Sequence, residues 1–373
     1  MTAAATEQEQ IRELARQFAE GELRPHVERW DREAALDPEV LSQLGELGFF
    51  GMLVPEAHAG MGFDHGTYLA AVEELSWGEP GGALTLSIHN AMAAILDRHG
   101  TEAQQARWLP ALASGDRIGA FALSEEGAGS DAAAVAATAE REGGDWVLRG
   151  RKKWVTNGSV AGLAVVVART GGPGHDGLSA FLVPTDTDGW AVGDREDTMG
   201  LRCLEVVDVE LDGIRLPGHA LLGPEGFGFK LAMEGLDLGR LGVAAQALGI
   251  AQAALDHAVS YAGEREQFGR PIHEFEAIQF KLAEMATEVA AGRSLLHWAA
   301  GQGRTGASAM AKLFCSETAM AVATEAVQVY GGYGYMRDYP VEKLMRDAKA
   351  TEIYEGTNEI QRVVIARELY GRG

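Results

Sequence analysis

The hydrophobic pattern of the chain changes twice along its length. From residue 7 to about residue 114, apolar residues recur at the spacing of amphipathic helices, with turn-forming clusters between the segments. From residue 118 to about residue 223, short β-rich runs are divided by Gly, Pro and Asp, which is typical of strands. Helical spacing returns at Gly226 and continues towards the C-terminus. One face of this last region carries Ile278, Leu282, Met285 and Val289.

Helices, then strands, then helices, without alternation of strand and helix, predict an α+β protein with a separate β domain. At 373 residues the chain also exceeds the usual size of a single hydrophobic core. We therefore predict an N-terminal helical domain (1–117), a middle β domain (118–225) and a C-terminal helical bundle domain (226–373).

Composition and charge argue against several function classes. The formal charge of -22, from 54 acidic and 32 basic residues, argues against binding to nucleic acid or to an anionic membrane surface. Cys203 and Cys315 lie far apart and fit buried thiols in a reducing compartment. The first residues lack a signal-peptide pattern, and no apolar run approaches the roughly 20 residues that cross a bilayer. We therefore expect a cytoplasmic protein. The histidines form no metal-binding motif, so we expect no metal site.

Two segments of the β region are candidates for ligand contact. Residues 121–131 are rich in small side chains, which would let backbone N–H groups approach a ligand, although the segment could equally form a simple turn. In residues 150–158, Trp154 and Thr156 lie on the same side of a strand, and the Trp ring suits either a core position or a shelf for a flat ligand.

Three further segments carry charged candidates in the helical region. Asp237 and Arg240 are neighbours on one helical face, where they could form a surface ion pair. Residues 265–272 follow a helix, and Arg265 suits bidentate phosphate binding, whereas the Gly and Pro after it indicate a helix end. Glu355 precedes a Gly-Thr pair between two helical segments, where a loop carboxylate can act as a base over a pocket.

In this order, these segments and the Gly- and Tyr-rich segment 328–340 closely resemble the motifs of the acyl-CoA dehydrogenase family. The similarity runs from the N-terminal helices past Arg362. The resemblance implies a helical N-terminal domain, a β-barrel-like middle domain and a C-terminal four-helix bundle. It also implies an FAD cofactor that extends between domains and across a subunit interface, and therefore a homo-oligomer, expected to be a dimer of dimers.

The resemblance also implies roles for individual residues. Flavin contacts within one subunit are expected from Phe121, Leu123, Ser124, Gly129, Ser130, Trp154, Val155, Thr156, Thr357 and Glu359. Contacts to the FAD of a neighbouring subunit are expected from Arg265, Phe268, Gln328, Gly331 and Gly332. Contacts to an acyl-CoA are expected from Ser130, Asp237, Arg240, Tyr354 and Gly356.

Glu355 matches the catalytic base of the short- and medium-chain members of the family. Some relatives carry their base at the position of Gly239, which has no side chain here. The implied reaction is FAD-dependent α,β-dehydrogenation of an acyl-CoA to the trans-2-enoyl-CoA in fatty acid β-oxidation, with an electron-transfer flavoprotein as acceptor. Such a base needs a raised pKa in a dry pocket, and the developing charge on the carbonyl oxygen needs hydrogen-bond donors.

Two alternatives stay open at this point. One is a flavin oxidase or monooxygenase of the same fold acting on another substrate, and the other is a non-catalytic helical oligomer. The sequence also departs from the family at Glu276, where relatives have a glutamine near FAD. An ionised carboxylate cannot donate a hydrogen bond, so whether Glu276 contacts FAD is open.

Overall fold

The computed structural model describes residues 3–371, and side chains from residue 7 onward. In this range the first group of helices is α1 (Ala3–Phe18), α2 (Val27–Glu33), α3 (Pro38–Glu46), α4 (His65–Gly78), α5 (Pro80–His99) and α6 (Glu102–Ala113). The second group is α7 (Gly228–Glu264), α8 (Glu276–Ala300), α9 (Thr305–Tyr330), α10 (Pro340–Thr351) and α11 (Asn358–Leu369).

The strands lie almost entirely between these two groups. They are β1 (Ile118–Ala122), β2 (Thr138–Glu142), β3 (Asp145–Thr156), β4 (Ala161–Arg169), β5 (Leu178–Pro184), β6 (Trp190–Arg195), β7 (Val206–Pro217) and β8 (Leu221–Leu222). A short hairpin of β9 (Glu266–Gln267) and β10 (Arg270–Pro271) follows α7. The described elements therefore change from helix to strand at Ile118 and back to helix at Gly228, which confirms the predicted α+β class.

Local capping determines where several N-terminal helices begin. The Asp64 carboxylate accepts a hydrogen bond from the Thr67 backbone N–H at 2.8 Å at the start of α4. Thr101 and Gln104 form a capping box at the start of α6. The helices bury large aromatic side chains against one another and against α7, which joins the N-terminal core to the C-terminal helices.

The eight-stranded sheet is mixed, with the order β6-β7-β3-β2-β4-β5-β8 and with β1 paired in parallel to β4. Strand β4 is buried on both faces. Leu163, Val165 and Val167 pack towards α5, α6 and α7, whereas the alternate residues pack in the core of the β region. Because successive side chains of a strand point to opposite faces, an uninterrupted apolar run is what such a central strand requires.

The longest helix, α7, lies at the centre of the C-terminal bundle and packs against α8, α9 and α10 as well as α4 and α5. By length and composition it is the one helix of the described residues that could cross a membrane. The expectation that the apolar runs of the chain are only strand-sized therefore understates α7. However, 89% of its most apolar window is buried inside the protein, so packing accounts for that composition.

Candidate active site

Glu355 lies in the loop between α10 and α11 and adopts a left-handed backbone conformation, with φ of 55°. The next residue, Gly356, has φ of 88°. The side-chain amide of Gln361 donates hydrogen bonds to the carbonyl oxygens of both residues, at 3.2 Å and 2.7 Å. Thr357 caps the N-terminus of α11 by accepting a hydrogen bond from a backbone N–H. A left-handed conformation is costly for a non-glycine residue, so these contacts hold the Glu355 loop in a conformation it would rarely adopt alone.

The Glu355 side chain points at α7, where Gly239 leaves room for it. A methyl group placed on Gly239 would lie 2.8 Å from Cδ of Glu355 and closer still to its carboxylate oxygen Oε2. Gly239 is the position at which some relatives were expected to carry an alternative base. The structure therefore brings the two positions into direct contact, although 116 residues separate them in the chain.

Burial raises the pKa of Glu355 to about 7, and the positive charges of Arg240 and Lys312 oppose this rise. A carboxyl group with such a pKa is ionised in an appreciable fraction of molecules at neutral pH, yet it is basic enough to accept a proton. Tyr68 lies on the α4 side, where its hydroxyl donates a hydrogen bond to Ser87 at 3.1 Å. Burial and the nearby charge of Glu355 raise the pKa of Tyr68, so its hydroxyl stays protonated.

Asp237 and Arg240 do form an ion pair, but it is not a surface pair. Only 3% of Arg240 is exposed, and its Nη1 donates to Asp237 at 2.6 Å. The carboxylate of Asp237 also accepts hydrogen bonds from Thr305 at 2.6 Å and Ser308 at 3.3 Å. The Nε of Arg240 is buried and has no hydrogen-bond partner among the described residues. This leaves an unsatisfied buried donor, on a residue whose charge acts on Glu355, that a ligand could satisfy.

A second polar contact closes the region beyond Glu355. Gln246 follows Gly239 by seven residues, so it lies on the same face of α7, about 10 Å further along the axis. The hydroxyl of Tyr354 donates a hydrogen bond to the Gln246 side chain, whose amide donates to the carbonyl of Pro80 at 2.7 Å. Gln246 is fully buried. These side chains fill the space between α5, α7 and the Glu355 loop.

The two candidate segments of the β region lie side by side. The buried Lys152 donates hydrogen bonds to the carbonyl of Leu123 at 3.0 Å and to the Glu125 carboxylate at 2.7 Å. The backbone N–H of Lys153 donates to the carbonyl of Ser124 at 2.9 Å. Desolvation lowers the pKa of Lys152 to about 8, and the charge of Glu125 opposes this fall. This pairing holds residues 121–131 against the strand that carries Trp154.

The surface next to these segments is accessible. Trp154 is 51% exposed, and its backbone has a φ of 57°. Added Cβ atoms on Gly127 and Gly129 would meet nothing within 4 Å, so the loop backbone is accessible. A Cβ on Gly235 would lie 3.7 Å from the ring of Phe121. Because Gly235 precedes Gly239 by four residues, the ring of Phe121 lies about one helical turn, roughly 6 Å along α7, from the Glu355 contact.

Not every predicted cofactor residue offers its side chain at this surface. Val155 and Leu123 are buried in hydrophobic clusters, so only their backbone is available to a ligand. Ser130 and Glu359 are exposed, and Thr156 and Thr357 are half-buried. Glu276 is exposed in the first turn of α8, where a carboxylate interacts favourably with the helix dipole.

The remaining predicted cofactor residues lie far from Glu355. Arg265 comes 26 residues after Gly239, directly beyond the end of α7, which places it about 39 Å away along the helix. It lines a cavity of about 530 Å³ together with Gly331, Gly332 and Tyr333. Phe268, at the tip of the β9–β10 hairpin, is 93% exposed. The structure thus separates the predicted cofactor contacts into two sites on one chain.

Three residues of the Glu355 region were not predicted from the sequence: Tyr68, Gln246 and Lys312. Gln246 and Lys312 were detectable in principle, because each is an isolated polar residue in a helical run of small and apolar side chains. Such isolation indicates a buried polar group with a specific partner. Tyr68 has no comparable signal, since a tyrosine in an apolar helix is ordinary.

Comparison with known proteins agrees with this geometry along the whole chain. Models of the acyl-CoA dehydrogenase N-terminal, middle and C-terminal domains match residues 5–116, 120–214 and 226–370. The chain belongs to the acyl-CoA dehydrogenase family. Within the family, it is 46% identical over 368 residues to the mitochondrial short-chain specific acyl-CoA dehydrogenase of Bos taurus, covering 96% of this chain and 89% of the relative.

Two solved structures show the same acyl-CoA dehydrogenase architecture. Butyryl-CoA dehydrogenase from Megasphaera elsdenii superposes with a TM-score of 0.96 at 41% identity, covering 99% of both chains. A chain solved in work on the electron transferring flavoprotein of Acidaminococcus fermentans and flavin-based electron bifurcation gives a TM-score of 0.96 at 45% identity, covering 99% of this chain and 98% of the other. The family resemblance inferred from the motifs is therefore confirmed.

Proposed function

We propose that this FAD-dependent acyl-CoA dehydrogenase removes the α proton of an acyl-CoA thioester with Glu355. The observation that carries this proposal is the position of the Glu355 carboxylate against Gly239. Gly239 is the alternative position for the base, and as a glycine it has no side chain. Burial raises the pKa of Glu355 to about 7, which suits a carboxylate that must accept a proton from a weak carbon acid.

The chain's own residues would act on the proton and on the thioester. The loop contacts from Gln361 hold Glu355 in place, so little reorganisation is needed when the substrate binds. The buried charge of Arg240 lies close enough to influence the pKa of Glu355, and its unpaired Nε can donate to an oxygen of the acyl-CoA. A donor fixed before reaction stabilises negative charge as it develops on the substrate.

We infer that the accessible surface beside Trp154 and Gly129 holds the flat ring of a flavin, with Phe121 one helical turn along α7 from the Glu355 contact. When bound, FAD supplies the acceptor for the β hydrogen of the substrate, which leaves as a hydride. Arg265 and its cavity lie about 39 Å away along α7, so we infer that they hold the FAD of a neighbouring subunit.

A homo-oligomer follows from this division, and we propose the dimer of dimers expected for the family. Its support is the set of large apolar side chains left exposed on the C-terminal elements, which marks an interaction surface. They are Phe268, Phe280, Trp298, Tyr335 and Met336.

We also propose that the preferred substrate has a short acyl chain. Gln246 and Tyr354, the residue before Glu355, are hydrogen-bonded to each other, and we infer that a longer chain would have to extend between them. An alkyl chain that entered there would break the hydrogen bond between Tyr354 and the Gln246 amide. Because an alkyl chain cannot form a hydrogen bond in its place, this loss would cost binding free energy. The names of the short-chain specific and butyryl-CoA relatives agree with this inference.

The remaining proposals concern the context of the reaction. We propose an electron-transfer flavoprotein as electron acceptor, supported by the similarity to the Acidaminococcus fermentans chain.

The division into domains at 1–117, 118–225 and 226–373 follows the change of element type. A cytoplasmic location fits the two buried cysteines, which are unpaired.

The test of the base is Glu355→Gln in the FAD-loaded protein, with Glu317→Gln as a control at an exposed carboxylate on α9. Anaerobic butyryl-CoA should bleach the flavin of the wild type and the control. The bleaching rate of both proteins should rise with pH and reach half its maximum near pH 7, because the ionised form of Glu355 is the active one. Glu355→Gln should bind FAD but lose at least about a hundredfold in rate, the usual scale of acid–base catalysis.

A normal bleaching rate in Glu355→Gln would disprove the assignment of the base. The comparisons do not favour the oxidase alternative, and the same preparation tests it directly. Peroxide release in air that keeps pace with substrate consumption would support that alternative over the dehydrogenase.

A further inference from the structure

Lys312 is a buried cation behind Glu355 that the proposed mechanism has not used. It lies on α9 and its side chain is fully buried. Its Nζ donates a hydrogen bond to Oδ1 of Asn358 at 2.8 Å, and Ser316 donates to the same oxygen at 3.1 Å. Asn358 is the first residue of α11 and comes three residues after Glu355. Lys312 is therefore connected to the Glu355 loop through one side chain.

The charges that act on Lys312 come from α7, α10, α11 and the Glu355 loop. Glu355 faces it from the loop, Glu352 from the end of α10 and Glu359 from α11, and all three favour its charged form. Arg240 on α7 opposes them. Burial is the largest effect and lowers the pKa of Lys312 to about 7. Lys312 can therefore carry charge at neutral pH because carboxylates surround it.

Glu355 is surrounded in a similar way. The cations that face it are Arg240 and Lys312, and the neutral hydroxyls of Tyr68 and Tyr354 complete its titratable neighbours. Arg240 is already paired with Asp237, which offsets part of its charge. Lys312, by contrast, has a neutral hydrogen-bond partner in Asn358.

A fully buried amine is expensive to desolvate, and a methionine would fill a similar volume without that cost. We propose that Lys312 is a positioning residue for the base: it anchors the Glu355 loop through Asn358, and its positive charge favours the ionised form of the Glu355 carboxylate. This inference rests on the proposed role of Glu355. It assigns to α9 a part in the proton transfer, although the base itself lies in the loop between α10 and α11.

The direction of the effect follows from the charges. Loss of the Lys312 cation removes a group that lowers the pKa of Glu355, so that pKa rises and the protonated, inactive form persists to higher pH. The reduction rate should fall most at low pH and recover when the solution is alkaline enough to ionise Glu355. A purely structural role of Lys312 would instead lower the rate by one factor at every pH.

The experiment compares Lys312→Gln, which keeps a donor but removes the charge, with Lys312→Met, which removes both. Lys281→Met, at a partly exposed lysine on α8, is the control. The readout is the rate constant of anaerobic flavin bleaching by butyryl-CoA between pH 6 and 9. For Lys312→Gln we expect the half-maximal pH to rise by about one unit, which is about a tenfold loss of rate at low pH, and little loss at high pH.

Asn358→Ala separates the two parts of the proposal and remains available if a Lys312 variant does not fold. It keeps the cation but removes its anchor, so the rate should fall by a similar factor at all pH values. A half-maximal pH for Lys312→Gln equal to that of the wild type would overturn the electrostatic role. Failure of the proposed function looks different, because Glu355→Gln would then react at the normal rate.

Discussion

The contact between Gly239 and Glu355 makes Gly239→Ala an informative perturbation. In an ordinary helix interior, Gly→Ala stabilises the protein by about 1 kcal/mol, because alanine loses less backbone freedom on folding. At this position the added methyl group would lie 2.8 Å from Cδ of Glu355, well inside van der Waals contact. The nearest atoms belong to the end of a flexible side chain, so the carboxylate can move aside at small cost in stability.

The catalytic cost should be much larger than the cost in stability. Restoring normal contact requires the carboxylate to move by roughly 1 Å, and a misplacement of this size can reduce a rate about a hundredfold. We therefore expect Gly239→Ala to keep its FAD and its melting temperature. The rate constant of flavin bleaching by butyryl-CoA should fall about a hundredfold.

A second glycine of the same helix provides the matched control. A Cβ on Gly263 would meet nothing within 4 Å, so Gly263→Ala should keep the wild-type rate. Stopped-flow absorbance under anaerobic conditions measures the rates, and thermal unfolding checks stability. A wild-type bleaching rate in Gly239→Ala would refute the conclusion that the Glu355 carboxylate acts from its place beside Gly239.

Three further outcomes follow from the same structure. Gln246→Gly should raise kcat/KM for hexanoyl-CoA and octanoyl-CoA relative to butyryl-CoA, because it opens the space beyond Tyr354; an unchanged preference in a chain-length series would contradict this. Arg265→Met should weaken FAD binding, measured by fluorescence titration of the apoprotein, whereas Arg270→Met on the hairpin that follows should bind FAD normally. Lys152→Met should lower the free energy of unfolding in urea by about 3 kcal/mol, since it leaves the buried Glu125 carboxylate without its cation while the backbone N–H groups of Ala136 and Ala137 still donate to it; a loss below 1 kcal/mol would count against that pairing.

Much of the fold could be predicted because local periodicity reports burial directly. The helical spacing of Met285 and Val289 corresponds to the buried face of α8, and the apolar run in β4 corresponds to a strand covered on both sides. The length of α7 was harder to predict, because a central helix that is apolar on all sides has no polar face to mark its period.

The sequence by itself determined the element types, the family and the identity of Glu355 as the candidate base, since these depend on local periodicity and on short motifs in a fixed order along the chain. Only the tertiary structure decided how distant residues meet. It placed Glu355 against Gly239, Tyr354 against Gln246 and Lys312 beneath Asn358. Such contacts depend on how α7, α9 and the α10–α11 loop pack together, and the periodicity of one element carries no information about the side chains that another element brings to it.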